Sequence, residues 1–367
     1  MKEENVGGRT MRHRMAGKIT ITTDSGERVE AQAPVIISAS RSTDIPAFYA
    51  RWFVGRLRRG SVAWYNPFNR QKMYVSFKNV KAVVFWTKNP EPIIPYLKEL
   101  DERGLHYYFL FTLNDYEREG FEPNVPPLER RIGTFRRLAG MIGKERVVWR
   151  FDPVMFTNVT PPGVMLDRVR RIGEQLKGCT EKLVFSFVDV NAYKKVQNNL
   201  IRETSLFTKD NIACAEPDYV QVNRFVEGLA QLRDCWRERD GWNVTLATCA
   251  EAADLAGYGV EPNRCIDGEL MKRVFADDKD FVFYLNHGRL PDKSNWLDVA
   301  DSSQGLSPEA MKDKGQRKLC GCMVAKDIGM YNTCGHLCVY CYANTSRKCV
   351  MENLSKRSDE GESIVGL

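Results

Sequence analysis

The chain has 367 residues, of which 43% are hydrophobic and 28% are charged, a composition typical of a globular enzyme with one large domain and attached segments. No apolar run approaches the length of a bilayer span, which argues against a membrane protein. The net charge of +7 comes from 54 basic and 47 acidic residues and is spread thinly. Its densest run, residues 56–59, fits the solvated face of a helix better than a nucleic-acid site.

The first eighteen residues lack the apolar core of a signal peptide, so we expect a cytoplasmic protein. The chain contains 11 cysteines. Disulfides are rare in a reducing compartment, and clustered cysteines there are typical of metal ligands.

Residues 1–30 are predicted to form a polar leader and a small hairpin, because Ile19 and Ile21 alternate with polar residues before the turn Asp24-Ser25-Gly26. Apolar strands and amphipathic helices then alternate along the chain. Strands are predicted at 35–37, 62–65, 73–77, 80–86, 106–113, 147–151, 183–188 and 244–248. Helices are predicted at 45–59, 93–100, 132–142, 165–176 and 222–236.

Strands that are almost wholly apolar and alternate with helices predict a parallel sheet covered on both faces. The number of units favours an α/β fold with a complete or partial (β/α) TIM-type barrel over residues 31–290. An open doubly wound sheet is the alternative, but the G-x-G-x-x-G loop typical of that fold is absent. Residues 291–316 are predicted to be a linker, 317–349 a cluster-binding segment and 350–367 a charged, mobile tail.

Three cysteines near the end of the sequence, Cys334, Cys338 and Cys341, have the spacing C-x3-C-x2-C. A short loop with this spacing can bind three corners of a cuboidal iron–sulfur cluster and leave the fourth iron without a protein ligand. Structural zinc sites need four ligands and favour C-x2-C pairs. A zinc knuckle that uses His336 as its fourth ligand is the alternative.

The run CGHLCVYC, which includes Tyr340, resembles the signature of radical S-adenosylmethionine (radical SAM) enzymes. The longer string CGCMVAKDIGMYNTCGHLCVYCYAN, with VIISASRSTDIPAFY and VVFWTKNP, resembles the bacterial family called domain of unknown function 1848, over residues 34 to 345. Two features depart from ordinary radical SAM enzymes. The cluster loop follows all the other strands instead of the first one, and no Gly-Gly-Glu string is visible.

The radical SAM resemblance implies a 4Fe–4S cluster on Cys334, Cys338 and Cys341, with the amino and carboxylate groups of SAM on the fourth iron. It implies reductive cleavage of SAM to a 5′-deoxyadenosyl radical, with Tyr340 beside the adenine. The expected partners are a reductant such as ferredoxin or flavodoxin and a small-molecule or nucleic-acid-derived substrate. The hint toward nucleic acid comes from CVYCY, which is similar to a string of spore photoproduct lyase.

A second set of cysteines, Cys249, Cys265, Cys320 and Cys322, is a hypothetical site for an auxiliary iron–sulfur cluster or a zinc ion. Cys249 ends a predicted strand and Cys265 lies in a polar turn, so both could meet the C-x-C pair in space. Ordinary buried thiols are the alternative for Cys249 and Cys265.

Polar residues follow several predicted strands, where ligands gather in parallel barrels. Arg150 and Asp152 are the predicted catalytic pair, because alternation aims both toward one side of an apolar strand. Arg150 would clamp a carboxylate of SAM or substrate, whereas a structural salt bridge is the alternative. The predicted cofactor-binding residues, besides Tyr340, are Ser38, Arg41, Thr87, Lys88, Asn114 and Ser186.

Two other classes of function remain open at this point. An iron–sulfur electron-transfer or sensor protein would use the same cysteines without cleaving SAM. A zinc-stabilised nucleic-acid-binding protein would carry zinc and bind with a steep salt dependence. No Ser-His-Asp order or P-loop supports a hydrolase or an NTPase.

Overall fold

The computed structural model describes residues 16–295, 298 and 305–366. The first half of the predicted leader, residues 1–15, lies outside the described residues, as do positions 296, 297 and 299–304 of the predicted linker.

The strands of the described chain form two sheets. They are β1 (Ala16–Thr22), β2 (Arg28–Pro34), β3 (Ile36–Ala39), β4 (Ser61–Tyr65), β5 (Lys72–Ser76), β6 (Ala82–Thr87), β7 (His106–Thr112), β8 (Val147–Val154), β9 (Lys182–Phe187), β10 (Thr245–Thr248), β11 (Val260–Pro262) and β12 (Lys326–Asp327). The helices are α1 (Ile45–Phe48), α2 (Ala50–Arg59), α3 (Leu97–Glu102), α4 (Leu128–Ile142), α5 (Pro162–Leu176), α6 (Lys194–Glu203), α7 (Tyr219–Asp240), α8 (Gly268–Val274), α9 (Lys279–His287), α10 (Pro308–Met311) and α11 (Arg347–Ser355).

The larger sheet has eight strands in the order β11-β10-β9-β8-β7-β6-β3-β12, and every neighbouring pair is parallel. Apart from β12, the strands lie side by side in chain order. This arrangement confirms the predicted α/β fold with a parallel sheet, and it follows from the continuous apolar runs, which need cover on both faces. The C-terminal segment contributes β12, which pairs with β3, the first strand of the large sheet in sequence order.

The sheet is strongly curved. The hydroxyl of Tyr108, on β7, donates a hydrogen bond of 2.5 Å to the carbonyl of Cys265, which follows β11. In a flat sheet β7 and β11 would be about 19 Å apart, because neighbouring strands are separated by about 4.8 Å. A tyrosine side chain cannot span that distance, so the turn after β11 folds back over the face of the sheet that carries Tyr108. Within the described residues no ladder joins β11 to β12.

The two faces of the sheet carry separate cores. The concave face buries small and medium side chains such as Ile36, Val84 and Val184, together with α8 and α9. The convex face buries the larger aromatic residues, including Phe85 and Trp149, beneath the surrounding helices. Alternation along each strand sends successive residues to opposite cores.

A smaller sheet, in the order β1-β2-β5-β4, stands beside the large one. It contains the predicted hairpin, since β1 and β2 pair antiparallel. Strands β4 and β5 were predicted within the alternating barrel units, but both belong to this sheet. The helix predicted over 45–59 is divided into α1 and α2 at Tyr49, whose hydroxyl donates to the carbonyl of Thr333 at 2.6 Å.

The prediction of a mobile tail after residue 350 is wrong. Helix α11 begins before that point, and Ile364 and Val365 are buried. Trp52 Nε1 donates to the carbonyl of Gly361 at 2.9 Å, so the end of the chain packs on α2. Apolar packing and backbone hydrogen bonds therefore outweigh the charged composition of this segment.

Part of the predicted linker is also ordered, because α10 lies in it and Lys312 bridges to Met323. None of the helices that the structure describes has the length and apolar character needed to cross a bilayer.

Candidate functional site

The C-terminal segment lies over the carboxyl ends of β3 and β6. Asp44, which follows β3, accepts hydrogen bonds from the backbone N–H of Ala47 at 2.9 Å and of Lys88 at 2.7 Å. The same carboxylate is 2.8 Å from Nε2 of His336, and both side chains are buried. Asp44 therefore ties the ends of two strands to the loop between Cys334 and Cys338.

A buried polar group lies beside this contact and centres on Glu122. The ammonium of Lys88 donates to Glu122 Oε1 at 2.8 Å and to the hydroxyl oxygen of Tyr340 at 3.2 Å. The Tyr340 hydroxyl donates to the same carboxylate. Asn114 Nδ2 lies 3.4 Å from Glu122 Oε1 and 2.8 Å from the carbonyl of Asp152. Three predicted cofactor residues, Lys88, Asn114 and Tyr340, thus come together.

The charges of this group stabilise one another. Burial alone would raise the pKa of Glu122, but the positive charges of Lys88 and Arg131 outweigh it and lower this pKa to about 2. Burial would lower the pKa of Lys88, whereas Glu122 and the neighbouring Cys338 raise it. Both side chains are therefore ionised near neutral pH.

The three cysteines of the C-x3-C-x2-C motif lie next to this group. Burial raises the pKa of Cys334 to about 12, and the nearby Asp44 and Cys341 add to the effect. Burial also raises the pKa of Cys338, while the Lys88 ammonium opposes the shift. Leu337 has a φ of 56°, which turns the chain sharply just before Cys338. The three thiols are thus near one another and near one lysine.

In the described part of the chain, no group of three or more His, Cys, Asp or Glu side chains is arranged to hold a metal ion as it stands. His336 does not face the thiols as a fourth ligand, because its Nδ1 is 3.3 Å from the carbonyl of Asn124 and its Nε2 contacts Asp44. Both ring nitrogens thus have protein partners. This arrangement disfavours the zinc-knuckle alternative.

The second cysteine set lies on the concave face, and its four members are brought together. Sγ of Cys249 is 3.5 Å from Sγ of Cys265. The backbone N–H groups of Cys265 and Ile266 donate to Sγ of Cys322 at 3.2 and 3.4 Å. A hydrogen bond with the Cys322 thiol lowers the pKa of Cys320 to about 7. The four thiols therefore form a continuous chain of contacts.

Three arginines surround these thiols. Arg150 Nη1 donates to Sγ of Cys265 at 2.8 Å, and its Nε donates to both carboxylate oxygens of Asp152 at 3.1 Å. Burial would lower the pKa of Arg41, but the nearby Cys322, Asp327 and Cys265 raise it. Arg317 Nη2 donates to the carbonyl of Cys249 at 3.5 Å. The predicted catalytic pair, Arg150 and Asp152, is thus a buried salt bridge that also contacts a thiol.

Three of the other predicted cofactor residues, Ser38, Arg41 and Thr87, have hydrogen-bond partners outside the group around Glu122. Ser38 Oγ donates to Asp327 Oδ2 at 2.7 Å, and the backbone N–H of Arg41 donates to the same atom at 2.8 Å. Thr87 Oγ1 accepts from the backbone N–H of Asn89 at 2.9 Å, a turn contact. Ser186 lies in β9, where alternation places it on the same face as Val184. Ser38, Arg41 and Thr87 thus hold the ends of β3 and β6, and no described hydrogen bond joins these three residues or Ser186 to Glu122.

Four residues that make central contacts in this region were not among the predicted catalytic or cofactor-binding residues, although His336 was considered as a zinc ligand: Glu122, Asp44, Asp327 and His336. Asp44, Asp327 and His336 lie inside the three strings that carry the family resemblance. Glu122 lies in a polar, turn-rich loop, where an acidic residue is usually solvated, so the sequence offers no signal for it.

A family model described as a domain of unknown function, DUF1848, matches residues 36–343. The chain belongs to this family. The matched region of the DUF1848 protein includes the large sheet and both cysteine sets. No curated protein and no solved structure matches the chain.

Proposed function

We propose that this DUF1848 protein is a radical SAM-like enzyme that binds a 4Fe–4S cluster through Cys334, Cys338 and Cys341. The observation that carries the proposal is the position of these three cysteines, Cys338 buried and the other two half-buried, beside the Lys88–Glu122–Tyr340 group at the carboxyl ends of parallel strands. Ligands of parallel α/β folds bind at that end of the sheet.

The residues present fit SAM as well as the cluster. Asn114 Oδ1 and Glu122 Oε2 are buried acceptors without a hydrogen-bond partner among the described residues, and Glu122 Oε2 has only the longer ion pair of 3.9 Å with Arg131 Nη1. Buried acceptors that lack a donor are costly, and they are usually satisfied by a ligand or an ordered water. The ammonium and ribose hydroxyl groups of SAM are donors of the required kind. Asn114 and Glu122 would thus take the place of the absent Gly-Gly-Glu string.

A cluster held by Cys334, Cys338 and Cys341 would, once reduced, supply the electron for cleavage of bound SAM into methionine and a radical that starts chemistry on the substrate. The chain's own residues hold and orient these groups. The Lys88 ammonium beside Cys338 offsets the cost of a buried thiolate. Asp44 fixes the cluster loop through His336, and Glu122 fixes the hydroxyl of Tyr340.

We also propose that the large sheet closes into a barrel. The eight parallel strands would form a (β/α) barrel whose seam lies between β11 and β12. Support comes from the contact of Tyr108 with Cys265 and from one concave core that joins residues of β3 with residues after β11. The cluster loop then follows the last strand and not the first.

The test is anaerobic reconstitution of the full chain with iron and sulfide, followed by incubation with SAM and dithionite. We expect 5′-deoxyadenosine from the unaltered protein and none from Cys338→Ala. Cys235→Ala is the matched control, since Cys235 is exposed, and it should behave as the unaltered protein does. A reconstituted cluster that reduces and reoxidises without any product derived from SAM would favour the electron-transfer or sensor alternative and overturn the proposal.

A further inference from the structure

We propose that Cys249, Cys265, Cys320 and Cys322 bind a single tetrahedral metal ion of the zinc type, separate from the site of the proposed function. The four thiols come from three places that are distant in the sequence: the end of β10, the turn after β11 and the segment before β12. The description of the DUF1848 family names no metal for these cysteines.

The spacing of the sulfurs favours one ion over a cluster. Four thiolates at about 2.3 Å from a tetrahedral zinc lie about 3.8 Å from one another. The sulfurs of Cys249 and Cys265 are 3.5 Å apart, and the thiol of Cys322 lies near those of Cys265 and Cys320. In a cuboidal cluster each cysteine binds a different iron, which holds the sulfurs farther apart than these contacts. Cys249 and Cys320 lie at the two ends of this row of thiols, and both side chains would have to rotate toward a common metal position.

The surroundings supply what a thiolate site needs. Two backbone N–H groups point at Cys322, and Asn263 Nδ2 lies 3.6 Å from Sγ of Cys265. The Arg150 guanidinium donates to Cys265 directly. Arg41 Nη2 is buried without a hydrogen-bond partner among the described residues, and its guanidinium lies beside Cys322. Such outer donors orient metal-bound thiolates and offset their charge.

The position of the four thiols indicates what the ion would do. Strands β11 and β12 share no ladder in the described residues, so this is the open side of the curved sheet. Cys265 follows β11, and Cys320 and Cys322 precede β12. A metal ion here would join the two sides of the seam through the side chains, releasing the four thiol protons as it binds. The expected result is a protein that is more stable with the metal than without it.

The experiment uses the full chain with Cys334, Cys338 and Cys341 all changed to Ser, so that the other cysteine set cannot contribute. We expect about one zinc ion per chain after purification and, on exchange with Co²⁺, the absorption bands of a tetrahedral tetrathiolate. Added Zn²⁺ should raise Tm. Cys322→Ser in the same background should abolish all three effects, whereas Cys214→Ser, at an exposed cysteine, should leave them unchanged.

Absence of bound metal in the background protein, or full metal content in Cys322→Ser, overturns the proposal. Iron–sulfur absorption from these four cysteines overturns the assignment of a single ion. If the background with three changes does not fold, Cys338→Ser alone provides a second background. If Cys322→Ser does not fold, Cys320→Ser provides a second variant. Because SAM cleavage is not measured, failure here is distinct from failure of the proposed enzyme activity.

Discussion

The guanidinium of Arg150, on β8, donates a hydrogen bond of 2.8 Å to Sγ of Cys265, which follows β11 three strands away in the sheet. The same guanidinium pairs with Asp152, whose carbonyl accepts from Asn114. Asn114 in turn contacts Glu122 beside Tyr340. Arg150 and Asp152 therefore lie between the two cysteine sets, in a line of contacts that runs from Cys265 to Tyr340.

The Arg150–Asp152 salt bridge should show strong coupling in a double-mutant cycle. Both side chains are largely buried, so Arg150→Ala leaves an unpaired buried carboxylate and should lower the free energy of unfolding by roughly 3–5 kcal/mol. Adding Asp152→Ala should recover part of that loss. Urea unfolding of the two single variants and the double variant measures the coupling.

Arg58→Ala is the control for this cycle, since Arg58 pairs with Glu99 at the surface, where an ion pair contributes little to stability, and its loss should be much smaller than that of Arg150→Ala. If the loss of unfolding free energy in the double variant equals the sum of the losses in the two single variants, Arg150 and Asp152 are not coupled.

Gly329 is predicted to be essential for the packing of the C-terminal segment against the loop after β3. A Cβ at this position would lie 1.8 Å from Ser40 Oγ and 2.6 Å from Ser40 Cβ. Rotation of the hydroxyl cannot relieve the second contact, so Gly329→Ala should destabilise the protein by about 1–3 kcal/mol or more. Thermal unfolding of this variant should be compared with Gly133→Ala, in α4, where a Cβ meets nothing within 4 Å.

Helix propensity predicts that Gly133→Ala is neutral or stabilising by about 0.5–1 kcal/mol. Equal Tm values for the two glycine variants would contradict the tight packing at Gly329.

The parallel sheet was predictable because its strands are apolar on both faces and the intervening helices show a period of 3.6. The hydrophobic pattern of a strand does not determine which other strand it pairs with, however. Strands β4 and β5 have the composition of sheet strands, yet they pair with the hairpin. The packed end of the chain was missed for a similar reason. Beyond α11 the burial depends on two adjacent apolar residues, Ile364 and Val365, and the hydrogen bond from Trp52 to Gly361 joins residues that are 309 positions apart.

Parts of the candidate site could be predicted where cysteines or charged residues lie at the ends of predicted strands or within them. The four cysteines Cys249, Cys265, Cys320 and Cys322 could be grouped because strand ends of a parallel sheet meet at one edge. Arg150 and Asp152 stood out as charges in an apolar strand, but sequence alone could not decide between a ligand clamp and a salt bridge. Glu122 could not be found, because its burial depends on Lys88 and Tyr340, which are distant in the sequence.

Asp44 should contribute more to the free energy of unfolding than an ordinary helix cap does. Loss of a cap costs about 0.5–2 kcal/mol, but Asp44→Ala also removes the partner of the Lys88 N–H and of His336, both in buried surroundings. We expect a loss above about 2 kcal/mol in chemical unfolding, together with poorer iron retention after reconstitution. Ser307→Ala, at the exposed cap of α10, is the matched control and should stay within the range of a simple cap. Equal losses in the two variants would contradict a role for Asp44 beyond capping.

The depressed pKa of Glu122 predicts how stability depends on pH. Its pKa falls from 4.5 in the unfolded chain to about 2 in the folded one, because the charges of Lys88 and Arg131 outweigh burial. A carboxyl with a lowered folded pKa stabilises fully above its unfolded pKa, and this contribution is lost as pH falls toward the folded value. The loss should therefore occur between about pH 4.5 and pH 2, and at 1.36 kcal/mol per pKa unit it amounts to about 3 kcal/mol.

Glu122→Gln isolates this contribution, because the amide does not titrate in that range. The difference in unfolding free energy between the unaltered protein and Glu122→Gln should be largest at neutral pH and shrink by about 3 kcal/mol on acidification. Urea unfolding at a series of pH values measures it, with Glu129→Gln as the control at an exposed position. A difference that stays constant from neutral pH to pH 3 would mean that Glu122 is not held ionised by Lys88 and Arg131, and Glu122 would then not be the ionised anchor for Tyr340 that the proposed site requires.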